Sequence, residues 1–300
     1  MVVAASALTT PRTGTAAGVP FLALPPAVAT TAPAPLVLGL HAFEPPRSES
    51  ALAGTLPMAA LPAWRVHLGL PQFGARLPDG GVPEINRRGE HDYLVELFGP
   101  IVEGAAAELH GVVTALRSAL PIADTPVGLV GVGAGATAVL LALAERRLPV
   151  GAAAVINPII DPTLLMAARE RRTGTPYRWN PRSQNTRGRM DMSARTAEIV
   201  RDGTPLLVVS GGEDDVCPPD HGRAFHAALA ARAPGNIGGR ADDHALRHIV
   251  VPDLAHSIGP EPGLEPGPLT PAGVLTDRAL TEWFHRRLPL PPQVRQDPAG

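Results

Sequence analysis

The stretch that decides the fold is VGLVGVGAGATAVLLALA, residues 127–144. It opens as a short apolar run rich in valine, passes through closely spaced glycines and continues as an alanine- and leucine-rich pattern. A strand running straight into a helix is predicted, joined at Gly131-Val132-Gly133-Ala134-Gly135. Glycines flanking such a turn let a strand and a helix approach closely and tolerate unusual backbone angles. The middle position, Gly133, carries no side chain.

Working outward, further short apolar runs lie at Val19–Leu24, 35–40, Trp64–Leu68, 152–156, 206–210 and 249–251. Between them, apolar residues spaced by three or four predict helices over 103–119, 134–146, 221–232 and 276–287. Short buried strands alternating with helices argue for an α/β fold, with a mostly parallel central sheet and helices on both faces. Two segments break the rhythm. Residues 45–61 leave the second run through Pro45-Pro46 and read as a short helix. Residues 161–202 lack a sustained apolar period and carry Arg178, Arg182, Arg187 and Arg189 beside Tyr177 and Trp179. A long insertion of this kind reads as a small cap or lid over the sheet's carboxyl end. No repeats are visible, and 1–300 reads as one domain.

Composition excludes several chemistries. All 26 basic residues are arginine, so a Schiff-base lysine and a P-loop lysine are both ruled out. The single cysteine, Cys217, forbids intrachain disulfides and CxxC metal or redox motifs, and reads as a small near-core residue. A net charge of −2 gives no global basic field for nucleic acid or anionic membrane. The N-terminus lacks a basic stretch before its short apolar run, and Asp124 and Glu145 bracket the glycine-broken run at 127–144. Neither a signal peptide nor a membrane span is expected, and the expectation is a cytoplasmic protein.

Four pieces of this chain resemble the α/β-hydrolase superfamily, in its carboxylesterase and dienelactone-hydrolase-like form. APLVLGLHAF resembles the strand and turn whose amides, near Ala42 and Phe43, help form an oxyanion hole, with His41 beside it. The turn at 131–135 resembles the nucleophile elbow, usually G-x-S-x-G. PLLVVSGGEDDVCPPDH resembles the strand and turn that present the triad acid, and HIVVPDLAHSI the loop carrying the triad histidine, His256. The resemblance implies an α/β-hydrolase fold with His256 as base, an acid to orient it and the Ala134 amide as an oxyanion donor. The acid turn pattern fits Asp214 better than Asp215, though both have a proline four residues on.

The departure is that Gly133 stands where the family has its serine. Ser210 sits too early on its strand, and Ser257 adjoins His256 and cannot reach its ring in attack geometry. The resemblance therefore implies a base, an orienter and oxyanion donors without a nucleophile. Two function classes follow. One is an enzyme acting on a small molecule without an acyl-enzyme, as a hydrolase, lyase or cyclase. The other is a silent small-molecule binder, or an esterase inactivated by serine-to-glycine exchange. No cofactor and no metal is expected, and a homodimer is left open.

Other readings compete. Gly131 to Ala136 also spells G-x-G-x-x-A, but the next apolar run ends at Asn157 instead of the ribose-holding acid of a dinucleotide site. Asp242, Asp243, His244 and His248, or His221 and His226, offer metal-like groupings without the H-E-x-x-H spacing. His41 and His67 fall at strand ends, where a hydrogen-bonded structural role competes with a pocket role for His41.

Overall fold

The computed structural model describes residues 10–28, 32–234 and 245–289. Asp242, Asp243, His244 and the tail from 290 lie outside the described residues. Eight strands form one sheet, in the order β1 (Arg12–Ala16), β2 (Val19–Leu24), β4 (Trp64–Leu68), β3 (Leu36–Leu40), β5 (Val127–Val132), β6 (Val150–Ile156), β7 (Leu206–Glu213) and β8 (Leu246–Ala255). The six strands from β4 to β8 in that order run parallel. β1 and β2 form an antiparallel hairpin on one edge, with β2 antiparallel to β4.

The continuous apolar runs follow from burial on both sides. In β5, Val127 and Leu129 face one core and Val130 and Val132 the other. The first core lies under α3 (Gly99–Ala119), α4 (Ala134–Ala144) and α8 (Pro219–Arg232); the second lies under α1 (Glu49–Thr55) and α9 (Pro271–Arg287). Phe284 of α9 packs where a side chain on Gly128 would be, so the second face comes close to β5 only because that residue is glycine. α4 is apolar all round because every one of its residues is buried. Among the described residues no helix is long and apolar enough to cross a membrane.

Two stretches without an apolar period are nevertheless helical. α2 (Gly81–Asp92) runs through a π-helical turn at Tyr93–Phe98 into α3. Residues 161–202 hold α5 (Pro162–Thr173), α6 (Pro181–Met190) and α7 (Thr196–Ile199). Their ends are set by caps. The Asp161 side chain accepts from the Thr163 N–H, Gly174 takes a φ of 68° after α5, and Asn180 and Ser183 form a reciprocal capping box. The Tyr177 hydroxyl donates to Asp92 at 2.5 Å, and Asn180 Nδ2 donates to the same carboxylate at 3.3 Å, joining this insertion to α2.

Sheet order also locates the site. β3 leads to β4 on one side while β5 leads to β6 on the other, so the order reverses between β3 and β5. In open α/β sheets the crevice at the carboxyl ends of such a strand pair is the usual place for a ligand.

Candidate functional site

At the end of β5 the backbone turns sharply at Gly133, with φ 53° and ψ −117°. The Gly133 N–H donates to the Ile156 carbonyl at 2.9 Å, and its carbonyl accepts from the Thr137 N–H at 3.1 Å. A Cβ on Gly131 would run into the Gly135 carbonyl, and one on Gly135 would run into the Leu40 and His41 carbonyls. Both flanking positions therefore admit only glycine. Gly133 differs: a Cβ there would lie 3.1 Å from Ala42 Cβ and 3.8 Å from Nε2 of His256. The position is strained for a side chain and Ala42 must give by a few tenths of an ångström to admit one, but no backbone blocks it and the Cβ would approach an imidazole.

That imidazole is buried on the loop after β8. Its Nδ1 lies 3.0 Å from each carboxylate oxygen of Asp214. The Asp214 Oδ1 also accepts from the Val216 and Cys217 N–H groups, both at 2.8 Å, which lock the carboxylate in its turn. Asp215, the other candidate, is exposed and does not make this contact. Burial by itself would push the His256 pKa down. The Asp214 carboxylate, helped by Glu44 and Asp215, outweighs burial and leaves it raised.

The amides expected at the oxyanion position separate into two kinds. The Ala42 N–H donates to the Pro46 carbonyl at 3.1 Å, because the chain folds back through Pro45-Pro46, so Ala42 is removed from the donor set. The Phe43 and Ala134 amides have no main-chain partner among the described turns and caps. Ala134 is the first residue of α4, where N–H groups point out of the helix with a partial positive charge.

His41, expected among the substrate contacts, is fully buried with both ring nitrogens committed. Nε2 accepts from the Leu70 N–H at 3.1 Å, so the proton is on Nδ1, which lies 2.8 Å from the Ala42 carbonyl. Burial holds its pKa down at about 4, with the Ala42 bond a smaller opposing effect. Of the two roles left open for His41, these bonds favour the structural one, a brace for the turn.

Two residues of the site went unread in the sequence. Asn157, at the end of β6, donates from Nδ2 to the Ala255 carbonyl at 2.7 Å and the His256 carbonyl at 3.3 Å, and accepts from the Gly211 N–H at 2.7 Å. It ties the histidine loop to the acid strand. Glu44 follows Phe43 directly and brings Oε2 to 3.8 Å from Nε2 of His256. Its only sequence signal is an acid beside the oxyanion turn in HAFEPP.

The remaining candidates lie elsewhere. Ser257 Oγ donates to the Pro45 and Gly259 carbonyls. Ser210 lies under α8, 3.0 Å from Nε2 of His248, whose ring stacks on His226 at 6.0 Å. His67 is buried beside Gly39 with neither ring nitrogen bonded, and burial, with Arg65 nearby, drives its pKa to about 3. Burial, with Asp214 close by, pushes the Cys217 thiol up to about 12. In the insertion, Arg189 pairs with Glu103 at 2.6 Å and Arg187 lies 3.7 Å from Asp161, while Arg178 and Arg182 are exposed. Among the described residues no group of three or more His, Cys, Asp or Glu could hold a metal ion.

Solved structures share this architecture. TT1662 from Thermus thermophilus is 22% identical with a TM-score of 0.64, over 92% of this chain and 98% of that one. A puromycin-hydrolyzing peptidase of Mycobacterium tuberculosis is 16% identical with a TM-score of 0.64, over 96% of this chain and 41% of its own. An acylaminoacyl peptidase of Pyrococcus horikoshii is 16% identical with a TM-score of 0.61, over 93% and 42%. The chain thus spans nearly all of the Thermus protein but about two fifths of the two peptidases. These likenesses show the α/β-hydrolase fold. No curated protein matches the sequence. The profile of the prolyl oligopeptidase family matches residues 105–263, just over half of the chain and the part that holds the elbow, Asp214 and His256, and to that family the chain belongs.

Proposed function

We propose that this protein acts on a small carbonyl compound without forming an acyl-enzyme, with direct hydrolysis of an ester or amide as the reaction its geometry suits best. The observation that carries this reading is the approach at Gly133: an elbow with the strained backbone of a nucleophile turn, where a Cβ would lie 3.8 Å from Nε2 of a histidine oriented by a buried carboxylate, and no hydroxyl to attack. A carbonyl placed over Gly133 would be offered the Phe43 and Ala134 amides, which have no main-chain partner among the described residues and would stabilise the oxyanion as it forms. Water then replaces the serine as nucleophile, with the proton transfers carried out at the His256 side of the elbow. Loss of the covalent route removes most of the rate, leaving roughly the 10³–10⁴-fold that oxyanion donors and binding supply.

The test uses p-nitrophenyl acetate and p-nitrophenyl butyrate with the native chain. The expected result is slow linear release of p-nitrophenol with no initial burst, no acyl adduct in the intact mass, and loss of the rate in His256→Ala. A stoichiometric burst with a covalent adduct would contradict the reading, as would a rate indifferent to His256→Ala.

A further inference from the structure

His256 has a carboxylate on each side. Asp214 holds Nδ1 at 3.0 Å, and Glu44 stands 3.8 Å from Nε2, the nitrogen that faces the missing hydroxyl. That second gap is too long for a direct hydrogen bond and suits one water lying about 2.8 Å from both groups. Glu44 is mounted next to Phe43, so its carboxylate and a candidate oxyanion amide come from adjacent residues of one turn.

Resting on the function proposed above, we infer that Glu44 is the general base of this site, taking a proton from a water lodged between its carboxylate and Nε2, while His256 is the acid. The water oxygen bonds to the substrate carbonyl carbon as its proton passes to Glu44, and the carbonyl electron pair moves to the oxygen facing Phe43 and Ala134. When that pair returns, the bond to the leaving group breaks and Nε2–H protonates the departing oxygen or nitrogen. Transfer of the proton from Glu44 to Nε2 restores the starting state. Carboxylates on both sides keep the imidazole in its protonated form, in line with the raised pKa of His256, so the ring enters the reaction with a proton on Nε2 and no free lone pair there to take one from water.

The charged groups facing His256 are Asp214 and Asp215 after β7 and Glu44 after β3. Glu44 in turn faces Tyr93, whose ring carries the Arg169 guanidinium 3.9 Å away. Arg47, on the same turn, is committed to the Phe43 carbonyl and Glu261.

A single exchange, Glu44→Gln, tests this through two readouts that must move in opposite directions. In the native chain it should slow p-nitrophenyl acetate hydrolysis at least tenfold. In a Gly133→Ser background it should speed labelling by a fluorophosphonate at pH 7 severalfold, to a ceiling of about tenfold, because the serine needs a neutral imidazole. Glu44→Asp should keep the charge effect on labelling and so resemble Gly133→Ser alone. Ring NMR of His256 should show its midpoint falling by about one pH unit in Glu44→Gln. Movement of both rates in one direction, or an unmoved His256 midpoint, overturns the assignment. A native chain no faster than buffer overturns the function proposed above, and the ring titration then still decides whether Glu44 governs His256.

Discussion

Two histidines of this protein sit beside a serine position, one past the strand ends and one within the sheet, and their surroundings differ in an instructive way. At Gly133 and His256 there is a sharp backbone turn, a buried acid on the far ring nitrogen and amides without main-chain partners, but no hydroxyl. At Ser210 and His248 there is a hydroxyl 3.0 Å from an imidazole, yet the serine is buried beneath Gly222 of α8 and the second ring is another histidine. Burial, then His226 and Arg223, lowers the His248 pKa, whereas carboxylates raise that of His256. A serine and a histidine in contact do not make a nucleophile. The backbone that exposes the hydroxyl, and the acid that orients the base, are the larger part of the apparatus.

The largest effect expected from this contrast is in a Gly133→Ser background. His256→Ala or Asp214→Asn should lower fluorophosphonate labelling by about 10⁴-fold, while His248→Ala leaves it within about twofold. Equal losses from His256→Ala and His248→Ala would erase the distinction between the two places.

A second contrast lies in stability against pH. His41 and His67 are buried and neutral, with pKa values lowered to about 4 and about 3. Below the unfolded value of about 6.5 the unfolded chain binds protons that the folded chain refuses, so stability falls on acidification. The two together should cost up to about 3 kcal/mol between pH 6.5 and pH 5. His256 has the opposite sign: its raised folded value stabilises below about pH 6.5, and that contribution is lost as pH rises through the folded value. Chemical denaturation across this range should show the acid loss, and His67→Gln should shrink it.

Smaller effects separate the elbow's own glycines. Gly135→Ala forces a Cβ into the Leu40 and His41 carbonyls and should destabilise by about 3 kcal/mol. Gly133→Ser meets only Ala42 and His256 and should cost about 1–2 kcal/mol, mainly from its positive φ. Asp215→Asn, on the exposed neighbour of the acid, should change stability by less than about 0.5 kcal/mol. Thermal melts rank all three.

Much of the fold was legible because the sheet is buried on both faces. Each of the other seven strands contains a short apolar run, although Arg65 and His67 interrupt β4 and only the middle of β8 is apolar, while β1, RTGTA, is exposed on the edge and carries no such signal. α2, α5 and α6 escaped for a related reason. α5 and α6 rest on side-chain caps and one-sided packing, and α2, GVPEINRRGEHD, has no fully buried residue. Within the site, the glycine spacing and the G-x-x-D-x-x-x-P turn are local patterns and could be read. Which acid faces His256, the folding of Ala42 onto Pro46, and the approach of Glu44 and Asn157 depend on strands far apart in sequence.

The most direct test is to place the hydroxyl where the backbone calls for it and map where a fluorophosphonate lands by peptide mass spectrometry. The protein as it stands should take up none, and Gly133→Ser should carry one adduct, on the new side chain at position 133. Labelling of the unaltered protein, an adduct on Ser210 or Ser257, or an inert Gly133→Ser that remains folded would each contradict the claim that this is a hydrolase elbow lacking only its nucleophile.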